Sequence, residues 1–200
     1  MQKIIYFDLD GTILNVWKRF WQVHTILAIK SNLKPIPFLK YRRLKRQGLD
    51  EYFYFKGIFS KEKYLRLKRN LLEESKFLAL DSPHSQIVEV LENISKRKEI
   101  GILTHRHSRK NLLSQLKNCG IIDYFGQVIN ISPEKKDKVS YLKQRATIYL
   151  GDTLEDIRIA KKANVTAVSC GWGFAHPLIL SKARPDYLVR YPKGLLKIIG

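Results

Sequence analysis

The sequence predicts a three-layer α/β architecture, in which a parallel sheet is covered on both faces by helices and carries an all-helical insertion. Three observations predict it. Apolar runs of strand length recur along the chain, amphipathic helical patterns separate them, and residues 15–80 break that alternation with helical patterns alone. Alternating strands and helices give the Rossmann-like arrangement, whose sites lie at the carboxyl ends of the strands.

The first run, residues 3–9, is rich in isoleucine and aromatics and ends at Asp10-Gly11-Thr12, as expected of a strand buried on both faces that runs into a tight turn. Residues 100–104, 127–131, 147–150 and 166–170 have the same character. Between them, Ile87, Val90, Leu91 and Ile94 share one helical face, and Leu112, Leu113 and Leu116 share another on a helix that Ser108 is placed to cap. Within the insertion, helices are expected over residues 17–29, 38–46 and 61–78, the last with Tyr64, Leu67, Leu71 and Leu78 on one face. The expected organisation is therefore a core of residues 1–14 and 81–200 with a helical insertion over residues 15–80.

Composition narrows the function classes. With 44% hydrophobic and 28% charged residues the chain is globular rather than disordered. It shows neither an export signal nor an apolar stretch of the roughly 18 residues that a membrane helix needs, so a cytoplasmic protein without membrane insertion is expected. Cys119 and Cys170 are too few for a disulfide framework and are expected as buried thiols. The net charge is +19, and residues 15–80 hold 16 Lys and Arg against 5 Asp and Glu. Such a field draws anions, whether phosphorylated metabolites, nucleic acid or an acidic surface. The run from Lys40 to Arg46 is either a solvated helix face or a phosphate-contacting surface with Tyr41 available for stacking.

The chemistry is concentrated at strand ends. Asp8 and Asp10 leave the first strand at alternating positions, and Gly151-Asp152-Thr153-Leu154-Glu155-Asp156 follows the fourth. Neighbouring strand ends converge in a parallel sheet, so Asp8, Asp10 and Asp152 can meet as a cage of hard oxygen ligands suited to Mg²⁺. Thr104 supplies a hydroxyl at another strand end, and Lys138 an ammonium shortly before the fourth strand. Together these meet the needs of a carboxylate attacking a phosphate, which requires a cation and hydrogen-bond donors on the phosphoryl oxygens. His105, Arg106 and His107 either clamp a second anionic group or form a surface loop of cations.

The four segments, DLDGT at 8–12, the run ending in Thr104, a lysine at 138 and GDTLED at 151–156, resemble the ordered motifs of haloacid dehalogenase-like hydrolases. The insertion and the segments at 171–174 and 185–189 resemble the phosphoglycolate phosphatase-like branch, whose helical insertion is a mobile cap. The resemblance implies a phosphatase working through an aspartyl-phosphate. Asp8 would be the nucleophile and Asp10 the acid and base. Thr104, His105 and Lys138 would bind the substrate phosphate. Magnesium would be held by Asp8, the backbone carbonyl of Asp10 and Asp152, with Asp156 ligating it through water or else orienting Lys138. Lys135 and Lys136 compete with Lys138 for the lysine role. The substrate expected is a small organic phosphate. Nucleotide or nucleic-acid terminal phosphates, and a non-catalytic binding module of the same fold, are the alternatives.

Overall fold

The computed structural model describes residues 4–131 and 137–199, and the chain divides into two compact units, residues 1–15 with 83–200 and residues 16–82. The first unit holds a six-stranded parallel sheet. In chain order its strands are β1 (Ile4–Phe7), β4 (Ile100–Thr104), β5 (Gln127–Asn130), β6 (Ala146–Gly151), β7 (Thr166–Cys170) and β8 (Tyr187–Val189), the numbers β2 and β3 belonging to two-residue strands at Leu14–Asn15 and Ser82–Pro83. Their spatial order is β5-β4-β1-β6-β7-β8. β1 thus lies between β4 and β6, with Phe7 level with Ile102 on one side and Leu150 on the other. Strand order reverses at this point, so the ends of β1, β4 and β6 open a crevice between them.

The helices of this unit are α5 (Ile87–Ser95), α6 (Arg109–Asn118), α7 (Lys138–Arg145), α8 (Leu154–Ala163), α9 (Pro177–Lys182) and α10 (Leu196–Ile199), after α1 to α4 of the other unit. Ser108 caps α6 by accepting from Asn111 N–H, and Thr153 with Asp156 forms a reciprocal capping box at α8. Leu142, Tyr149, Ile157, Ala160 and Ala167 share one buried cluster between the sheet and its helices.

The second unit contains α1 (Trp17–Lys30), α2 (Phe38–Arg46), a 3₁₀ turn (Glu51–Phe55), α3 (Lys61–Leu72) and α4 (Ser75–Leu78) around Val23, Leu27, Phe55, Tyr64 and Phe77. The single helix expected over residues 61–78 is two helices, broken where Glu74 turns extended at ψ 135°. Glu73 and Glu74 place two carboxylates at the negative end of α3, which does not favour its continuation, and the break puts Phe77 into the core. Tyr41 is also corrected. It is 1% exposed and its hydroxyl donates to the buried Glu51 carboxylate at 3.0 Å, so it offers no stacking face to a nucleic acid. Lys68 pairs with the same carboxylate at 2.5 Å. Cys170 is buried as expected, whereas Cys119 is half-buried.

Candidate active site

Asp8 is the residue after β1, and its N–H donates to Leu150 O of the neighbouring strand at 2.8 Å, which fixes the strand end to β6. Asp152 is the residue after β6 and Asp156 is the N3 residue of α8. These two segments, more than 140 residues apart in the chain, bring Asp8, Asp152 and Asp156 together with one carboxylate oxygen from each within 4.8 Å of the others. Lys138 opens α7 and is 2% exposed. Its ammonium donates to Asp8 Oδ1 at 2.7 Å and to Tyr149 OH at 2.6 Å, and it lies 3.9 Å from Asp156 Oδ1. Lys135 and Lys136, its competitors in the sequence, lie outside the described residues. Thr104 ends β4 with 3% exposure, and its carbonyl accepts from Ile131 N–H at 2.9 Å.

Among the described residues, three buried or half-buried carboxylates face one buried ammonium. Burial pushes the Asp8 carboxyl up to about 7 against the pull of Lys138, with Asp156 and Asp10 adding to the rise. Burial, then Asp156 and Asp8, push Asp152 well above the carboxylate range. Lys138 moves up as well, because Asp8 and Asp156 together outweigh the desolvation that opposes its charge. Among the described residues the site is thus short of positive charge. A divalent cation on Asp8, Asp152 and Asp156 would supply it, and an all-oxygen donor set suits magnesium. The Asp10 side chain stands apart from this cluster, since its Oδ1 accepts from Arg106 Nη2 at 2.7 Å. His105 is half-buried, its Nδ1 3.1 Å from Ile131 O, and burial and the nearby Lys138 lower its pKa.

Backbone geometry holds Asp152 in place. Phe174 N–H donates to its Oδ2 at 2.6 Å and Thr12 Oγ1 to its Oδ1 at 3.1 Å, while Trp172 Nε1 donates to Thr12 O at 2.9 Å. Gly173 permits this approach, because a Cβ there would overlap the Asp152 carboxylate. Gly173→Ala is accordingly expected to displace Asp152, lowering kcat at least tenfold and stability by about 1–3 kcal/mol, as overpacking does. Melting temperature and turnover of the same preparation check this, and a variant unchanged in both shows the contact to be slack.

Two residues escape a motif-based reading. Tyr149 links Lys138 to Asp156, donating to Asp156 Oδ1 at 3.1 Å, and only its alternation within a buried strand marks it. Arg106, offered by the sequence as either clamp or surface cation, is 5% exposed and bound to Asp10.

Residues 5–170 match the family described as haloacid dehalogenase-like hydrolase. The chain is 26% identical to a phosphoglycolate phosphatase of Synechococcus elongatus, covering 100% of this chain and 97% of that one. It is 25% identical to the pyrophosphatase PpaX of Bacillus velezensis, covering 98% and 95%. Among solved structures, a haloacid dehalogenase-like hydrolase from Streptococcus pneumoniae superposes with a TM-score of 0.80 at 20% identity, covering 100% and 99%. A haloacid dehalogenase-like protein of unknown function from Agrobacterium tumefaciens does so with 0.77 at 15%, covering 100% and 98%. From the meeting of Asp8, Lys138, Asp152 and Asp156 and the match over residues 5–170, the chain belongs to the haloacid dehalogenase-like hydrolase family.

Proposed function

We propose that the protein is a magnesium-dependent phosphatase that hydrolyses a phosphomonoester of a small organic molecule through an aspartyl-phosphate. The observation that carries this is the meeting of Asp8, Asp152 and Asp156 around one point with Lys138 on Asp8. Asp8 attacks phosphorus, and the bond from phosphorus to the leaving oxygen breaks as Asp10 delivers its proton to that oxygen. Asp10 then takes a proton from water, the water oxygen attacks phosphorus, and cleavage of the aspartyl bond returns the Asp8 carboxylate and releases inorganic phosphate. Thr104 and Lys138 hold the phosphoryl oxygens. Asp8, Asp152, Asp156 and the Asp10 carbonyl would hold magnesium, which when bound supplies the positive charge that lets a carboxylate approach a phosphate dianion. The names of the two curated relatives support phosphate-ester or anhydride chemistry.

A screen of phosphorylated metabolites and of 3′- and 5′-phosphorylated oligonucleotides with magnesium, using Asp8→Asn protein as blank, tests the proposal. Turnover confined to small phosphates is expected. Turnover of oligonucleotide ends alone would reject the small-substrate reading, and no magnesium-dependent phosphate release from any of them would reject the function.

Metal binding has its own readout. A carboxyl raised to about 7 in the folded protein binds more protons than it does unfolded, so its contribution to stability is full below about pH 4 and is lost as pH rises through 7. Metal-free protein should therefore melt lower at pH 8 than at pH 5. Magnesium competes with those protons, so its stabilisation should grow over the same range, reaching about 2.7 kcal/mol at a concentration 100 times the Kd. Equal magnesium shifts at pH 5 and pH 8 would show that these carboxylates do not hold the ion.

A further inference from the structure

Arg106 lies two residues beyond Thr104, on the loop between β4 and α6, and its side chain is 5% exposed. The guanidinium Nη2 donates to Asp10 Oδ1 at 2.7 Å and to Gln115 Oε1 at 2.9 Å. Gln115 is itself 5% exposed on the inner side of α6, so the arginine is braced from the helix side as well. Withdrawing a guanidinium from water is costly unless its donors are met, and here Asp10 and Gln115 meet those of Nη2. The acid in question stands in the turn after β1, between the buried strand and Gly11, which holds φ at +90°. Asp10 itself remains 21% exposed in its side chain, so packing alone does not fix it.

We propose that Arg106, braced by Gln115, is the positioning residue for Asp10, setting the carboxylate where it meets the leaving oxygen and the attacking water. This rests on the acid and base role given to Asp10 above. A charge-assisted bond from a planar, rigid donor restricts both side-chain torsions of an aspartate more tightly than a lysine or a water does. Proton transfer needs such placement, and a misplacement of about 1 Å costs on the order of 10²-fold in rate. The pair also explains why an arginine occupies a strand-end loop beside a phosphate site without being on the surface.

The test uses two aryl phosphates of similar shape, p-nitrophenyl phosphate and phenyl phosphate, with magnesium. Nitrophenolate leaves without a proton, whereas phenolate leaves faster with one, so a displaced general acid penalises phenyl phosphate more. For Arg106→Gln, kcat/KM on phenyl phosphate is expected to fall about 10²-fold and on p-nitrophenyl phosphate less than about tenfold. The inhibition constant of inorganic phosphate should stay within about threefold, and Arg106→Lys should recover part of the loss. Asp10→Asn should show the same leaving-group trend more strongly. Equal losses on both esters, or a loss matched by weaker phosphate binding, would overturn the positioning role, as would wild-type rates in Arg106→Gln when Asp10→Asn is impaired. An active Asp8→Asn or an unimpaired Asp10→Asn would instead sink the phosphatase mechanism beneath it. Melting curves of both Arg106 variants separate misfolding from these outcomes, with the lysine variant keeping a charge beside Asp10.

Discussion

Asp8→Asn is expected to lower kcat by ~10⁴-fold or more, the scale reached when a nucleophile is removed from a site whose members act as a unit. The amide is close in size to the carboxylate, and its oxygen can still accept from Lys138, which now bonds Asp8 Oδ1 at 2.7 Å. Packing should therefore survive. What is lost is the proposed nucleophile and one of the negative charges gathered at the site. Because burial and the neighbouring Asp156 and Asp10 already raise the Asp8 carboxyl to about 7, the metal-free variant should melt higher than wild type above that pH. Its magnesium-dependent stabilisation should shrink at the same time, since one ligand has lost its charge. Kinetics with p-nitrophenyl phosphate and melting curves with and without magnesium read both effects. A variant that keeps a tenth of wild-type turnover would remove Asp8 from the nucleophile's role. One that melts lower than wild type in metal-free buffer at pH 8 would contradict the charge count.

Much of this was legible in the chain because the signals are local. β1, β4, β6 and β7 are short apolar runs bounded by turn residues, and the structure places strands within two residues of where those runs predict them. Asp8 and Asp152 follow two of these strands directly, so their convergence follows from parallel packing alone. What was not legible depends on partners distant in sequence. β8 is only three residues, Tyr187–Val189, and it is a strand because Val168, Ser169 and Cys170 of β7 pair with it. Asp186, just before it, accepts from Ala167 N–H at 2.7 Å, a contact that no local pattern announces. Tyr149 sits in an apolar run where a tyrosine is ordinary, and only the meeting of Lys138 and Asp156 at its hydroxyl distinguishes it. Arg106 illustrates the same limit from the other side. A basic triplet after a strand is compatible with a solvated loop or a ligand clamp, and burial beside Asp10 decides in favour of neither.

Lys138→Met should have the second largest effect, and it separates a structural from a catalytic role. Among the described residues the ammonium is the cation bonded to Asp8, and it also touches Tyr149 and approaches Asp156 to 3.9 Å. Removing it leaves buried carboxylates uncompensated, a change that costs about 3–5 kcal/mol when one partner of a buried pair is lost. Loss of a preorganised donor to a phosphoryl oxygen lowers kcat by roughly 10²–10³-fold. If the stability loss comes from the stranded Asp8 charge, the Asp8→Asn/Lys138→Met pair should regain part of it. The melting of the double variant would then exceed the sum of the single changes by the 0.5–3 kcal/mol roughly seen for directly interacting groups. Strict additivity would mean that Lys138 stabilises the fold through its packing rather than its charge. Lys135→Met and Lys136→Met complete the comparison. Near-wild-type kcat in both, beside a crippled Lys138→Met, assigns the motif lysine, and the reverse pattern moves that role upstream of α7.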